Sequence, residues 1–363
     1  MPIFRIRESI TGLMNRIGFH LIGWLIAYNI LGIIVYLLIG DTYGYRLTDY
    51  ILWSSFAAII IGILLGVSEY FFDRIERFIP SFGKVILFKS ILYILILSFM
   101  ILFVGISRML IYREVDLLSY LLAFLNSPAF STIFLFSVIT SIILNFIVQV
   151  NRKFGQGELW AFILGKYFKP RVEKRIFMFL DLRSSTRYAE QLGHIKYSEL
   201  IQKCFHYINR VVPEYKARLY QYVGDEAVLT WKWEDGLNRN RCIAFYFALT
   251  DLIRGKKDQF REKFGLVPEF KAGVHGGNIT VAEVGDIKRE IAYHGDVINT
   301  AARIQEKCNV FKRELLVSET IHESLRGLPW KSEKIGEVRL KGKEKSISVY
   351  AIFNIMNNEN RVG

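Results

Sequence analysis

The chain predicts an α+β domain, built on one mixed sheet with helices on a face, behind an all-α region of four membrane-spanning helices. Three observations carry that reading. An apolar excess is confined to the first 150 residues, the apolar stretches lack any polar repeat, and beyond them the pattern changes abruptly to alternating strands and helices.

Of 363 residues, 52% are apolar and 15% aromatic, more than a soluble chain of this length needs for its core. Residues 18–40, 49–72, 83–106 and 128–150 each hold about twenty mostly apolar positions, enough at about 1.5 Å per residue to cross a hydrocarbon layer of roughly 30 Å. A surface helix would return to polar residues every three or four positions, and these do not. A cleaved signal peptide would have an apolar stretch of about 7–15 residues ending in small residues. The stretch 18–40 runs longer and is followed by three more.

Basic residues near the span ends set the orientation. Arg5, Arg7 and Arg16, then Arg74, Arg77 and Lys84, then Arg152 and Lys153 fall on one side. Both chain ends are therefore expected in the cytoplasm, with the spans in the inner or plasma membrane. Arg46, Arg108 and Arg113 lie against this rule, and 117–125 is apolar enough to rest at the membrane surface. The formal charge of +13 comes without a basic stripe interleaved with aromatics, which argues against nucleic acid as a partner; anionic membrane lipid accounts for many of the charges. Cys204, Cys242 and Cys308 have no metal-site spacing and read as reduced, buried thiols.

The expected organisation is an amino-terminal segment 1–17, the membrane region 18–150, a connector 151–174, an α+β domain 175–356 and a tail 357–363. In the connector, Leu159, Trp160, Phe162 and Ile163 either pin a short amphipathic helix to its surroundings or transmit a change in helix packing, and sequence leaves both open. Beyond it, 175–182 reads as an apolar strand and 184–212 as a long helix. Segments 219–223 and 227–233 form a hairpin turned at 224–226. A helix at 238–252, strands at 269–274 and 279–284 around Gly276 and Gly277, a helix at 297–307, and strands at 314–318, 337–340 and 347–352 complete the domain.

Three motifs carry chemistry. Asp181 stands near the end of the first strand, where the following turn offers a carboxylate and free backbone N–H groups to a polyphosphate. Asp225 lies in Tyr222-Val223-Gly224-Asp225-Glu226 at the hairpin tip. Alone it is an ordinary turn residue. Adjacent central strands would bring it beside Asp181, however, and two close carboxylates repel unless cations lie between them. Hard oxygen ligands and substrate phosphates favour Mg2+ or Mn2+. In the third motif, Asn299 and Arg303 of His294-Gly295-Asp296-Val297-Ile298-Asn299-Thr300-Ala301-Ala302-Arg303 are four apart on a predicted helix and share a face. Lys341, in Arg339-Leu340-Lys341-Gly342-Lys343, follows a short strand.

Together, Phe179-Leu180-Asp181-Leu182, Val223-Gly224-Asp225-Glu226 and the Gly295–Arg303 run resemble the class III nucleotidyl cyclases, the adenylate and guanylate cyclase family. The resemblance covers about residues 176–352. It implies a ferredoxin-like, palm-type catalytic fold and a symmetric homodimer with two equivalent sites shared between the copies. It further implies two divalent cations per site, held by Asp181, Asp225 and the Leu182 carbonyl. Asn299 and Arg303 come from the other copy and stabilise the reacting phosphate, and Lys341 holds the terminal phosphates. The base-reading places hold Gln221 and Ala292, which match neither the adenylate nor the guanylate pattern. Glutamine can serve either purine, so ATP is the expected substrate with GTP the other candidate. Arg183-Ser184-Ser185-Thr186 also departs from the family's usual turn. The competing readings are a guanylate or mixed-specificity cyclase, an inactive nucleotide-binding membrane sensor, and a diguanylate cyclase. Against the last, Val223 and Ala227 stand where a glycine and an aromatic belong. A ligand sensed by the membrane region is a further expected partner.

Overall fold

The computed structural model describes residues 2–43, 46–76, 81–112, 119, 122–123, 125–154, 158–287, 289–327, 329–339 and 346–354. The chain divides into two compact units, Met1–Phe154 and Gly155–Gly363.

The first unit consists mainly of α1 (Pro2–Tyr43), α2 (Leu47–Glu76), α3 (Phe82–Tyr112) and α4 (Pro128–Phe154). Among the described residues, three stretches are long and apolar enough to cross a membrane: Gly12–Leu38, Leu47–Phe72 and Phe130–Asn151. They mark a multi-pass membrane anchor. This corrects the expected count of four. The segment 83–106 is helical within α3 but is not among the three, and its described part carries Lys84 and Lys89. Lys89 is fully buried, with its ammonium 2.8 Å from Glu69 of α2. The unit's core gathers Trp24, Tyr28, Leu65, Tyr93, Leu97 and Leu144. Helix α2 can lie against α1 because Gly62 and Gly66 present no side chain. A Cβ on either would come within 2.7 Å of Leu21 Cα or 2.6 Å of Ile17 Cα, the close approach that paired small residues permit.

The second unit opens with α5 (Glu158–Ile163), followed by β1 (Arg171–Leu182), α6 (Ser185–Val211), β2 (Arg218–Val223) and β3 (Glu226–Lys232). Next come α7 (Trp233–Leu237), α8 (Arg241–Arg254), α9 (Lys257–Phe264), β4 (Phe270–Val284) and β5 (Glu290–His294). The chain closes with α10 (Asp296–Phe311), β6 (Leu315–Ser318), α11 (Glu319–Ser324), β7 (Lys331–Arg339) and β8 (Ser346–Phe353). One sheet of order β2-β3-β1-β4-β6-β8-β7 runs through the unit, with β5 pairing β4 at its far end. Only the β4–β6 pairing is parallel among those described.

Strand β1 is buried without interruption from Arg175 to Leu180 because both its faces are covered. On one face Ile176, Met178 and Leu180 join Leu200, Cys204 and Phe245 of α6 and α8 in the larger core. On the other, Phe177 and Phe179 meet Tyr167, Ile279, Tyr293 and Val297 in a smaller one. Two sequence expectations change here. The expected long helix is interrupted at Gly193, whose φ of 69° and ψ of 167° are not helical. The two strands expected around Gly276 and Gly277 are one continuous β4, and Gly276 serves packing instead of turning the chain. A Cβ there would lie 2.8 Å from Trp233 and 2.9 Å from Ile321.

Candidate active site

The register of β1 positions the first carboxylate. Leu180 pairs with Ala227 of β3 on one side and Ala272 of β4 on the other, and Asp181 pairs with Lys271. One step further along the β1–β3 ladder, Asp181 stands level with the β2–β3 turn that carries Asp225 and Glu226. The 44 positions separating the two aspartates in sequence therefore collapse to neighbouring strand ends.

Asp181 already has partners. Lys271 Nζ lies 2.9 Å from its Oδ2, and Gln305 Nε2 of α10 donates to the same oxygen at 2.9 Å. Helix α10 can bring Gln305 so close because Gly273 faces it; a Cβ at Gly273 would sit 2.2 Å from Gln305 N and 2.7 Å from Ala301 O. Asp225 is less well compensated. Its Oδ2 is buried without a hydrogen-bond partner. Burial pushes its carboxyl above the ordinary aspartate value, repulsion from Asp181 adds to this, and a hydrogen bond from Ser185 opposes it. Burial together with the charges of Asp181, Asp225 and Glu306 raises Glu226 to about 7, against the pull of Lys271.

Three carboxyl groups thus share one strand end, and the Lys271 ammonium is paired with one of them, Asp181. Among the described residues no group of three or more His, Cys, Asp or Glu is placed to hold a metal. Two aspartates do fit a divalent cation, because the orphaned Asp225 oxygen is a ready ligand and excess negative charge already resists ionisation there. The Leu182 backbone follows directly; its side chain is buried.

The third motif lies on α10. Asn299 is exposed and Arg303 half-buried. Gln305, two residues after Arg303, points about 200° around the helix from it at about 100° per residue. The helix that reaches Asp181 through Gln305 therefore presents Asn299 and Arg303 on a different side. Gln221 is exposed in β2 and Ala292 half-buried in β5. Lys341 lies outside the described residues.

Sequence reasoning missed Lys271, Gln305 and Glu226 as members of this cluster. Signals for the first two were present: Lys271 interrupts the apolar run of Phe270–Val274, and Gln305 sits on the stripe of Val297, Ala301, Ile304 and Cys308 that α10 buries.

Residues 169–354 match the adenylate and guanylate cyclase catalytic domain family, and the chain belongs to that family. It is similar to adenylate cyclase 2 of Rhizobium meliloti (strain 1021), at 31% identity over 221 residues, which are 61% of this chain and 61% of that relative. Similarity to the guanylate cyclase soluble subunit beta-2 of Rattus norvegicus is 27% over 94 residues, 26% of this chain and 14% of that one. Among solved structures, a bacterial light-regulated adenylyl cyclase superposes with a TM-score of 0.52 at 16% identity, covering 62% of this chain and 66% of the other. The mixed α+β fold described above is therefore a class III cyclase fold behind apolar helices.

Proposed function

We propose that this protein is a membrane-anchored adenylate cyclase, converting ATP to 3′,5′-cyclic AMP and pyrophosphate at sites shared between two symmetric copies. The convergence of Asp181 and Asp225, with Asp225 Oδ2 buried and unmatched, is the observation that carries the reading. Two divalent cations, Mg2+ or Mn2+, bound by Asp181, Asp225 and the Leu182 carbonyl, would acidify the ribose hydroxyl and neutralise phosphate charge. Lys271, which now balances Asp181, would become available to the triphosphate once that charge is balanced otherwise.

In the reaction the ribose 3′-oxygen attacks the α-phosphorus, its proton passes to Asp181 or water, and pyrophosphate leaves in line. Arg303 and Asn299 of one copy stabilise the charge that grows on the transferring phosphate held by the other copy, and Lys341 supports the leaving pyrophosphate. The placement of Asn299 and Arg303 around α10 from Gln305 supports this division, since one helix cannot aim both sets at the same carboxylates. The catalytic unit belongs on the cytoplasmic side, where nucleoside triphosphates are found and where three buried free thiols remain reduced.

Similarity to a relative named adenylate cyclase supports ATP. Gln221 beside an Ala292 that makes no hydrogen bond through its side chain keeps GTP as the alternative substrate. The deciding assay supplies ATP and GTP together with Mg2+ or Mn2+ and resolves cyclic AMP, cyclic GMP and cyclic di-GMP. Cyclic AMP with stoichiometric pyrophosphate is expected. Dominant cyclic GMP reassigns the base, while no product from folded, dimeric, full-length protein with either metal leaves a nucleotide-binding sensor.

A further inference from the structure

Arg175 lies in the middle of the catalytic unit, fully buried, and none of the chemistry above uses it. Its Nε donates to Glu173 Oε2 at 2.9 Å and its Nη1 to Thr230 Oγ1 at 3.3 Å, while Nη2 is buried with no partner. Keeping a guanidinium in a dry interior with a donor unmatched is costly, and an apolar side chain of similar size would fill the same space more cheaply. Stability alone does not account for it.

Its neighbours suggest what it does. The guanidinium carbon sits 5.0 Å from the ring centre of Tyr293 in β5. Tyr293 meets Phe177 edge-on at 5.2 Å and Tyr220 of β2 edge-on at 4.9 Å. Tyr220 falls within the bulge between Leu219 and Gln221, an irregularity that re-aims a side chain. The residues next to these two rings are Gln221 and Ala292. Strands β2 and β5 are separated in the sheet by β3, β1 and β4, so the Tyr220–Tyr293 contact is a direct tie between them.

On its other side Arg175 leads to the connector. The other oxygen of Glu173, Oε1, accepts the Tyr167 hydroxyl at 2.8 Å and lies 3.3 Å from Lys166 Nζ, which in turn donates to Tyr167 Oη at 2.8 Å. Tyr167 is 3% exposed, and its carbonyl accepts Glu283 N of β4 at 2.8 Å. Ala161 and Phe162 of α5 pack on the same small core. Glu173 stays ionised. Partial burial pushes its carboxyl up, but hydrogen bonds from Arg175 and Tyr167 and the charges of Arg175 and Lys166 outweigh that and bring it to about 2.

The geometry points to Tyr167, Glu173 and Arg175 as positioning residues that fix, through Tyr293 and Tyr220, the spacing of Gln221 and Ala292 and hence the fit of the purine base. The inference rests on the reading of Gln221 and Ala292 as base-facing residues. It also ties Tyr167, a residue of the connector, to Tyr293 and Tyr220 through Glu173 and Arg175. The effect of loosening this chain therefore falls on base recognition, leaving the bond-making step intact.

The test measures kcat and KM for ATP and for GTP with full-length wild type, Tyr167→Phe and Arg175→Met, alongside thermal unfolding. Tyr167→Phe removes one hydroxyl and no ring, so it decides the matter even if Arg175→Met fails to fold. Both folded variants are expected to raise KM for ATP by about fivefold to tenfold, the scale of one lost buried hydrogen bond. The ratio of kcat/KM for ATP over GTP should move toward one by a similar factor, with kcat held within about twofold. An unchanged KM and ratio in Tyr167→Phe, or a fall in kcat that merely tracks the folded fraction, overturns the inference. A folded wild type that turns over neither nucleotide overturns the cyclase reading itself, and this inference with it.

Discussion

Each of the two units buries charge, and they resolve it in opposite ways. In the helical unit Glu69 is 2% exposed, and both its oxygens have donors, one Lys89 Nζ at 2.8 Å and the other the Tyr93 hydroxyl. In the catalytic unit the Lys271 ammonium pairs with Asp181 and also draws on Glu226, while Asp225 keeps an unmatched oxygen. A matched pair needs nothing further and is explained by packing. An acidic cluster at a strand end with one buried oxygen unmatched is held by the fold against its own repulsion, which supports the proposed cation site.

The contrast can be broken most sharply at Asp225. Asp225→Ala should lower metal-dependent turnover by about a thousandfold or more, the scale of removing a group essential to the reacting charge. The same variant should unfold at the wild-type temperature or slightly above it, since repulsion is relieved. Activity and calorimetry on one preparation check both halves, and a large loss of stability would show the aspartate to be structural.

The opposite pattern is expected in the helical unit. Lys89→Met removes the cation that faces the buried Glu69 carboxylate and should cost about 3–5 kcal/mol of stability. The double variant Lys89→Met/Glu69→Leu should recover most of that loss in detergent unfolding. Failure of the double variant to recover would mean that the pair does more than hold the helices together.

A smaller effect concerns Glu173. Its carboxyl is depressed from the ordinary value near 4.5 to about 2. Its ionised form therefore contributes stability that is fully present above pH 4.5 and is lost as pH falls through 2. The difference in thermal midpoint between wild type and Glu173→Gln should be constant near neutrality and shrink across that window. A difference that does not change with pH contradicts the assignment.

Much of the catalytic unit was legible because its signals are local. The apolar run ending in Asp181, the Gly224-Asp225 turn and the Asn299–Arg303 spacing each report on one element, and each element is present where expected. What escaped depends on register and packing. Strand β5, Glu290–His294, follows the charged Lys288-Arg289 and is defined by its pairing with β4. Gly276 and Gly277 read as a break because glycine is common in turns, whereas Gly276 admits Trp233 and Ile321. Lys271 and Gln305 gain meaning only once the sheet sets them beside Asp181, and the role of Arg175 emerges only through its contacts with Thr230 of β3 and Tyr293 of β5. Of the expected site, Lys341 falls outside the described residues.

Mixing two inactive full-length variants tests the account most directly. Asp181→Ala lacks a cation ligand, and Arg303→Ala lacks the group offered to the neighbouring copy. Heterodimers of the two would contain one site that carries both defects and one that carries neither. Cyclic AMP production restored to a substantial fraction of wild type, at a mixing ratio where heterodimers are confirmed by differential tagging, is the predicted result. Confirmed heterodimers that stay as inactive as either parent would contradict it.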